Sequence, residues 1–236
     1  HREVVMQDFI NIGKRIPKMD AEEKVTGKAI YIHDLKIPGM LYGKILYSPH
    51  PHARILSMDT SRAENLPGVK AVLTGYNIPV VKFGFYKDNT PLKANKVRSF
   101  RDEVAAVAAT DPEIAEEALE LIKAEYEILP AVFDPEEAMR EGAPFIHEEH
   151  VGGKEKKPTN ILNLPWRLVS GDVDEARKNS AHVAEDRFKV TWVTHCCMGT
   201  SGCVAQFDMK NNLIIYSPTQ IPSLAQRDFT DALSLI

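Results

Sequence analysis

KVTGKAIYIHDLKIPGMLYGKILYSPHPHARILSMDTSRAENLPGVKAVLTG, residues 24–75, alternates runs of strand formers with proline and glycine turns. Val25, Thr26 and Gly27 read as a turn feeding a short strand over residues 29–32 that ends at Asp34. Pro38-Gly39 is a turn pair, and the half-apolar run 40–47 is rich in strand formers, so a second strand is expected there. Pro49 and Pro51 stop it. Alternation resumes across Ile55, Ser57 and Asp59, after which Thr60 or Ser61 is placed to cap one helical turn through Leu66 before Pro67-Gly68 breaks it. The apolar run 69–73, closed by Gly75, is a third strand.

Working outward, residues 76–95 read as a loop, with Pro79, Gly84, Asp88-Asn89 and Pro91. Residues 104–109, VAAVAA, are apolar on both faces, as a strand buried on both sides should be. Asp111 can cap the next helix, and Pro112 suits its first position, where a missing N–H costs nothing. Ile114, Ala115, Ala118, Leu119 and Ile122 then fall on one helical face, and residues 124–129 return to strand until Pro130. The spacing predicts a β-α-β unit whose apolar stripe is core packing.

Several spaced motifs carry a resemblance. GKA-x-Y-x-x-D at 27–34, PGML at 38–41, SPHPHARI at 48–55, LPGV-x-AVLTG at 66–75 and EYE-x-LP at 125–130 resemble the N-terminal α/β hammerhead domain of the molybdenum hydroxylases. That family includes xanthine dehydrogenase, aldehyde oxidase and hydroxybenzoyl-CoA reductase, and the likeness is to its large, molybdopterin-binding subunit. Where the family usually has a Gly-Glu or Gly-Asp pair, this chain has Arg101-Asp102.

The expected fold is therefore α+β. An N-terminal arm over 1–19 precedes a hammerhead domain over 20–132, a linker over 133–170 and the incomplete opening segment of a molybdopterin-binding domain over 171–236. The linker is read from Gly142, Pro144, Gly152-Gly153, the charged run 154–157, Pro158 and Pro165, and 134–139 can form a helical turn or two within it. In the last segment Asp172 can cap a short helix through Arg177. Strands are expected over 183–193, 203–207 and 213–216, with a hairpin turn at 209–212. Ser223 and Gln226 form a capping box for a final helix whose face carries Ala225, Phe229, Ala232, Leu233 and Ile236. That face is still running where the sequence stops, so it is expected to be covered by other polypeptide.

Composition narrows the function. A net charge of −4 with scattered basic residues gives no electrostatic reason to expect nucleic acid or an anionic membrane as partner. No apolar run approaches the roughly 20 residues that span a bilayer, and the start lacks a signal peptide's apolar core. The first residue is not methionine, so an amino terminus that is cut or partly unseen is the expectation. Three cysteines, all within 196–203, make no disulfide framework, and a reducing cytoplasm fits them.

Three places could hold chemistry. His50 and His52, two apart on an extended segment, and His33 could ligate one metal ion. The competing reading is a rigid surface connection whose histidines hydrogen-bond neighbouring backbone, and the two prolines with no nearby Cys or Glu favour it. His195, Cys196, Cys197 and Cys203 offer soft ligands, but their spacing is not a C-x-x-C knuckle, so buried reduced thiols are the expectation and no metal ligand is assigned. The family usually reads H-x-x-M/L-E-P/T here, whereas this chain has Met198-Gly199-Thr200.

The third place is Ser217-Pro218-Thr219-Gln220, where the family has a strand ending in S/T-T-Q before a helix. By that resemblance Gln220 is a cofactor-binding residue whose amide hydrogen-bonds an oxygen ligand of the molybdenum. No catalytic residue is assigned, because the family's glycine-rich pterin loop and its glutamate base would fall beyond residue 236. The resemblance implies part of an oxidoreductase, inactive alone, acting on an aromatic heterocycle, aldehyde or aromatic thioester. It further implies a molybdenum cofactor (molybdopterin), with iron–sulfur clusters and FAD on partner subunits. Two other classes remain: a non-catalytic structural or assembly subunit, and a metal-binding module built on His195 and the cysteines.

Overall fold

A computed structural model describes residues 10–84, 86–149, 151–152, 157–161, 168–196, 199 and 201–233. The chain divides into two compact units, His1–Pro38 with His195–Gln220, and Gly39–Thr194 with Ile221–Ile236.

The first unit begins with α1 (Ala21–Val25) and a 3-10 turn at Ile32–Asp34. The strand expected at 29–32 does not form. Tyr31 N–H donates to the Asp34 carboxylate at 2.9 Å, and Asp34 N–H donates back to the Tyr31 carbonyl at 2.9 Å. These local bonds take up groups that a strand would have offered to a neighbour.

The second unit contains β1 (Tyr42–Tyr47), β2 (Ala53–Asp59), α2 (Ser61–Glu64), β3 (Val69–Thr74), β4 (Lys96–Val97), β5 (Glu103–Ala109), α3 (Pro112–Leu121) and β6 (Lys123–Ile128). They make two antiparallel sheets, ordered β1-β5-β3 and β4-β2-β6. The strands expected at 40–47 and 69–73 are present as β1 and β3, and the alternation at 55–59 lies in β2. Thr60 occupies the cap position of α2 without a side-chain capping bond, and Asp59 does that work instead by accepting from Ser61 N–H at 3.0 Å.

Strand β5 separates two apolar clusters. Ala105, Val107 and Ala109 point to one face, where they pack with Ala63, Val72, Ala115, Ala118 and Ile122. Val104 points to the other and packs with Ala53, Ile55 and Val97. Leu46 and Met58 touch both clusters, so the core is continuous. Small side chains on β5 and on the inner stripe of α3 let helix and sheet approach closely. At the same contact Gly68 has a φ of +98°, and a Cβ there would stand 2.7 Å from Ile114 Cδ1. Asp111 caps α3 as expected, accepting from Glu113 N–H at 2.8 Å with Pro112 at the first position.

The β-α-β order is found, but not as a unit within one sheet. Strand β5 lies centrally in the first sheet, and β6 lies at the edge of the second, antiparallel to β2. The reason is visible in Lys123-Ala-Glu-Tyr-Glu-Ile128, which alternates charged and apolar residues. A parallel partner of β5 would be buried on both faces, whereas this pattern suits a half-exposed antiparallel edge.

At the turn before β5, Arg101, where the resemblance led to an expected glycine, adopts left-handed backbone, with φ +65°. The turn is intact: Arg101 N–H donates to Ser48 O at 3.2 Å, Ser48 N–H to Asp102 O at 2.8 Å, and Arg98 N–H to the Asp102 carboxylate at 2.7 Å. The guanidinium also sits 4.9 Å from the centroid of the Tyr47 ring. Left-handed backbone costs about 1–2 kcal/mol outside glycine, and an exposed cation–π contact returns about 0.5–1 kcal/mol. Arg101→Gly should therefore equal or exceed the wild type in urea-unfolding free energy, while Arg101→Ala, which keeps the strain and loses the contact, should fall below both.

Residues 134–161 are more closely tied down than a free linker. Helix α4 (Pro135–Ala138) is capped by Asp134, which accepts from Glu136 and Glu137 N–H at 2.8 and 3.1 Å. A short ladder joins β7 (Val151–Gly152) to β8 (Lys157–Pro158). The Asn160 side chain donates to the carbonyls of Ala138 and Pro144 and accepts from Ile146 N–H, each at 3.0 Å.

Beyond it, α5 (Val173–Asn179) is capped by Asp172 through Glu175 N–H at 2.9 Å, as predicted. The strand expected over 183–193 is absent; that stretch has no regular secondary structure and pairs with no strand among the described residues. Strands β9 (Val204–Phe207) and β10 (Leu213–Tyr216) form the anticipated hairpin of the first unit. Its turn is built on Asp208, whose carboxylate accepts from the N–H groups of Lys210 and Asn212, both at 2.8 Å, and from the Asn212 amide. The Asn212 side chain first, then these N–H groups, hold the Asp208 carboxyl below the usual carboxylate range. The last helix, α6 (Pro222–Leu233), starts at Pro222, so Ser223 lies inside it and is not its cap. Proline fits the first helical position and displaces the expected start by one residue. Along α6, Ala225, Phe229 and Ala232 are half-buried and Leu233 is exposed, while Ile236 lies outside the described residues.

Candidate functional site

Gln220 ends the irregular segment 217–220 that follows β10 and precedes α6 in the chain. Ser217 is half-buried, whereas Thr219 and Gln220 are exposed. Gln220 lies four residues beyond the end of β10, and its exposed carboxamide is at once donor and acceptor. The segment offers hydroxyls and an amide, with no thiolate, imidazole or carboxylate. Such a donor set suits hydrogen bonding to oxygen-rich groups rather than direct ligation of a metal.

The histidines are not a surface connection. His52 is 2% exposed, its Nδ1 lies 2.5 Å from Pro130 O, and its Nε2 is buried with no hydrogen-bond partner. For Nδ1 to donate to that carbonyl the ring must carry its proton there, which leaves Nε2 as a bare acceptor. His52 O in turn accepts from Leu129 N–H at 2.9 Å, so this residue fastens the end of β6 to the start of β2. The neighbouring His50 ring packs edge-on against Tyr126 at 5.2 Å. Backbone bonding by histidine was the correct part of the expectation. Burial was missed because residues 48–52 look polar, and only the pairing of β2 with β6 covers them.

The thiols differ from expectation as well. Cys196 and Cys203 are exposed, not buried; Cys197 and Met198 lie outside the described residues. Exposure follows from position: Cys203 precedes a two-stranded hairpin with no described sheet behind it. No three His, Cys, Asp or Glu side chains gather as a metal site among the described residues.

Sequence reasoning overlooked a groove of about 500 Å³ in the second unit, lined by the 75–95 loop, β4 and residues 146–149. Three of its cations, Lys93, Lys96 and Arg98, are committed to protein partners. Lys93 Nζ donates to Thr90 O at 3.0 Å and to Glu103 at 3.3 Å, and Lys96 pairs with Glu148 at 2.7 Å. Arg98 donates to Ile146 O at 2.9 Å and to Glu149 at 3.3 Å. These pairs clamp residues 146–149 onto β4 and leave those three cations satisfied within the fold. The signal that could have exposed the clamp was the opposition of Lys96 and Arg98 to Glu148-Glu149.

Burial alone would raise the Glu149 carboxyl, but backbone hydrogen bonding, Arg98 and His147 outweigh it and bring it down to about 2. Because this lies below its ordinary 4.5, the carboxylate contributes stability in full above that value. The contribution is lost as pH falls from there through about 2. Glu149→Gln should accordingly lower stability at neutral pH, by less than about 1 kcal/mol given its partial exposure. It should also flatten the acid limb of a denaturation series measured over that window.

Two domain families match the chain. Residues 26–130 match the aldehyde oxidase and xanthine dehydrogenase a/b hammerhead domain, and residues 154–235 match a molybdopterin cofactor-binding domain. The chain belongs to the molybdenum hydroxylase family. Among curated relatives, a probable xanthine dehydrogenase subunit of Bacillus subtilis is 39% identical over 214 residues, covering 90% of this chain and 27% of that protein. The nicotinate dehydrogenase large molybdopterin subunit of Eubacterium barkeri is 36% identical over 231 residues, covering 97% and 52%. Of solved structures, a Cu,Mo-CO dehydrogenase superposes with a TM-score of 0.80 at 31% identity, covering 95% of this chain and 30% of that one. The chain thus spans about a quarter to a half of the length of these molybdenum hydroxylase relatives.

For this family member the hammerhead reading and the α+β class hold, as does the start of the molybdopterin-binding domain. No helix among the described residues is long and apolar enough to cross a membrane.

Proposed function

We propose that this chain supplies the hammerhead domain, over 20–132, and the opening segment of the molybdopterin-binding domain, from 171, of a molybdenum hydroxylase-type oxidoreductase. Residues 1–19 serve as an arm, and 133–170 connect the two domains. The observation that carries this reading is the succession of the two family matches along one chain, hammerhead first, with Gln220 just beyond β10 inside the second. The names of two relatives support a subunit role, since both are described as subunits.

Gln220 would hydrogen-bond the molybdenum cofactor through its exposed carboxamide, orienting it rather than retaining it. The cofactor, when bound, supplies the two-electron redox chemistry. This chain's own contribution is positional: the Asp208 turn and the β9-β10 ladder fix the strand that leads to Gln220. The substrate class is an aromatic heterocycle, aldehyde or aromatic thioester. Partner subunits carry iron–sulfur clusters and FAD, and the assembly works in the cytoplasm.

Co-expression with polypeptides supplying the rest of the molybdopterin domain and the iron–sulfur and FAD subunits tests this. The purified assembly should reduce a dye with at least one of a purine, a pyridine carboxylate or an aldehyde, and tungstate-grown cells should yield inactive enzyme. A molybdenum-loaded assembly inert toward all substrate classes would favour a structural role instead.

A further inference from the structure

Residues 26–38 belong by sequence to the hammerhead match, yet in space they fall in the compact unit that joins His1–Pro38 to His195–Gln220. The β9-β10 hairpin of that unit is a two-stranded sheet with no third strand among the described residues. Such a hairpin is marginal in water unless something packs on it. Cover alternates along β9: Val204 and Gln206 are half-buried, whereas Ala205 and Phe207 are exposed, so one face of the strand is covered. Ile214, opposite Gln206, shares that face and is half-buried too.

The amino-terminal part of the unit reaches the hairpin two residues before β9. Ile32 Cγ2 stands 3.9 Å from where a Cβ on residue 202 would lie, an ordinary van der Waals separation, and no other such neighbour among the described residues comes within 4 Å. Ile32 is half-buried, as are Ala29, Leu35 and Ile37, while Ile30 and Tyr31 are 73% and 57% exposed. Leu35 N–H donates to Ile32 O at 3.2 Å, which closes the 3-10 turn around this side chain. We infer that Ile32 is a positioning residue: seated at Gly202, it holds the β9-β10 hairpin and, through β10, the 217–220 segment that ends in Gln220. The inference rests on the functional reading above and adds a residue to that same site. The 3-10 turn that stands in place of the expected strand sets Ile32, and not the exposed Tyr31, against the hairpin.

The test begins with the full chain. Ile32→Ala, which removes the Cγ2 contact, should speed amide hydrogen exchange over 204–216 by about tenfold or more and leave 103–128 at wild-type rates. Ile32→Val, which keeps a γ-methyl, should exchange like the wild type. In the assembled enzyme Ile32→Ala should lower kcat by about tenfold with KM unchanged, because Gln220 is misplaced rather than removed. Ile32→Val should turn over at the wild-type rate. In a Gln220→Ala background, Ile32→Ala should cost nothing further, as expected of two residues that act through one group. Wild-type exchange over 204–216 in Ile32→Ala overturns the inference, as does faster exchange throughout the chain or a fully additive loss in the double variant. Wild-type turnover of Gln220→Ala, with a hairpin that still loosens in Ile32→Ala, contradicts the functional reading alone.

Discussion

Gly75→Ala should destabilise the protein by about 3 kcal/mol or more, the largest effect expected of any single methyl group added to the chain. A Cβ on residue 75 would stand 2.5 Å from Ala94 N, 2.6 Å from Lys93 C and 2.7 Å from Ala94 Cα. All three are backbone atoms, so no rotamer change relieves the clash. Nor can that backbone retreat, because Lys93 N–H donates to Glu103 O at 2.8 Å and Asn95 O accepts from Ile55 N–H at 2.9 Å. The 93–95 segment is thereby tied to β5 and β2, and moving it breaks into both sheets. Equilibrium urea unfolding gives the number; a loss under about 1 kcal/mol would mean that the loop yields and that the packing argument is wrong.

Gln220→Ala should slow turnover of the assembled enzyme by about 10²-fold, in the range seen when one preorganised amide donor is removed from a reacting centre. Its exposure makes a folding explanation poor, so the thermal midpoint and the molybdenum content should stay at wild-type values. Gln220→Glu, of similar size but without the amide donor, should not restore the rate. Wild-type turnover in Gln220→Ala would remove the role assigned to this residue.

Where local chemistry settles the backbone, the sequence was enough. Asp111-Pro112, Asp172 and Asp208 each accept N–H bonds from residues two to four positions on, and all three lie where a helix start or turn was expected. The alanine stripe of α3 and the two-faced apolar run of β5 likewise needed no partner to be recognised. Readings that depended on distant pairing fared less well. Alternation in 183–193 reports what a strand's side chains would do, but a strand also needs a partner, and this stretch pairs with no strand among the described residues. The assignment of β6 to a second sheet and the burial of His52 are one fact seen twice, since both follow from β2 pairing with β6. In the candidate site, Gln220 came from family resemblance. Nothing in its own neighbourhood distinguishes it from another polar residue just past a strand. The clamp of Lys96 and Arg98 on Glu148 and Glu149 joins residues about fifty apart, a distance over which periodicity carries no information.

The central claim is that this polypeptide is one part of a molybdopterin-binding subunit and needs the remainder of that domain to hold its metal. Metal analysis of the chain purified alone and of the chain purified with the remaining molybdopterin-domain polypeptide tests it most directly. The account predicts no molybdenum in the first sample and stoichiometric molybdenum in the second. Stoichiometric molybdenum or zinc in the chain alone, or a stable assembly that never acquires molybdenum, would contradict it.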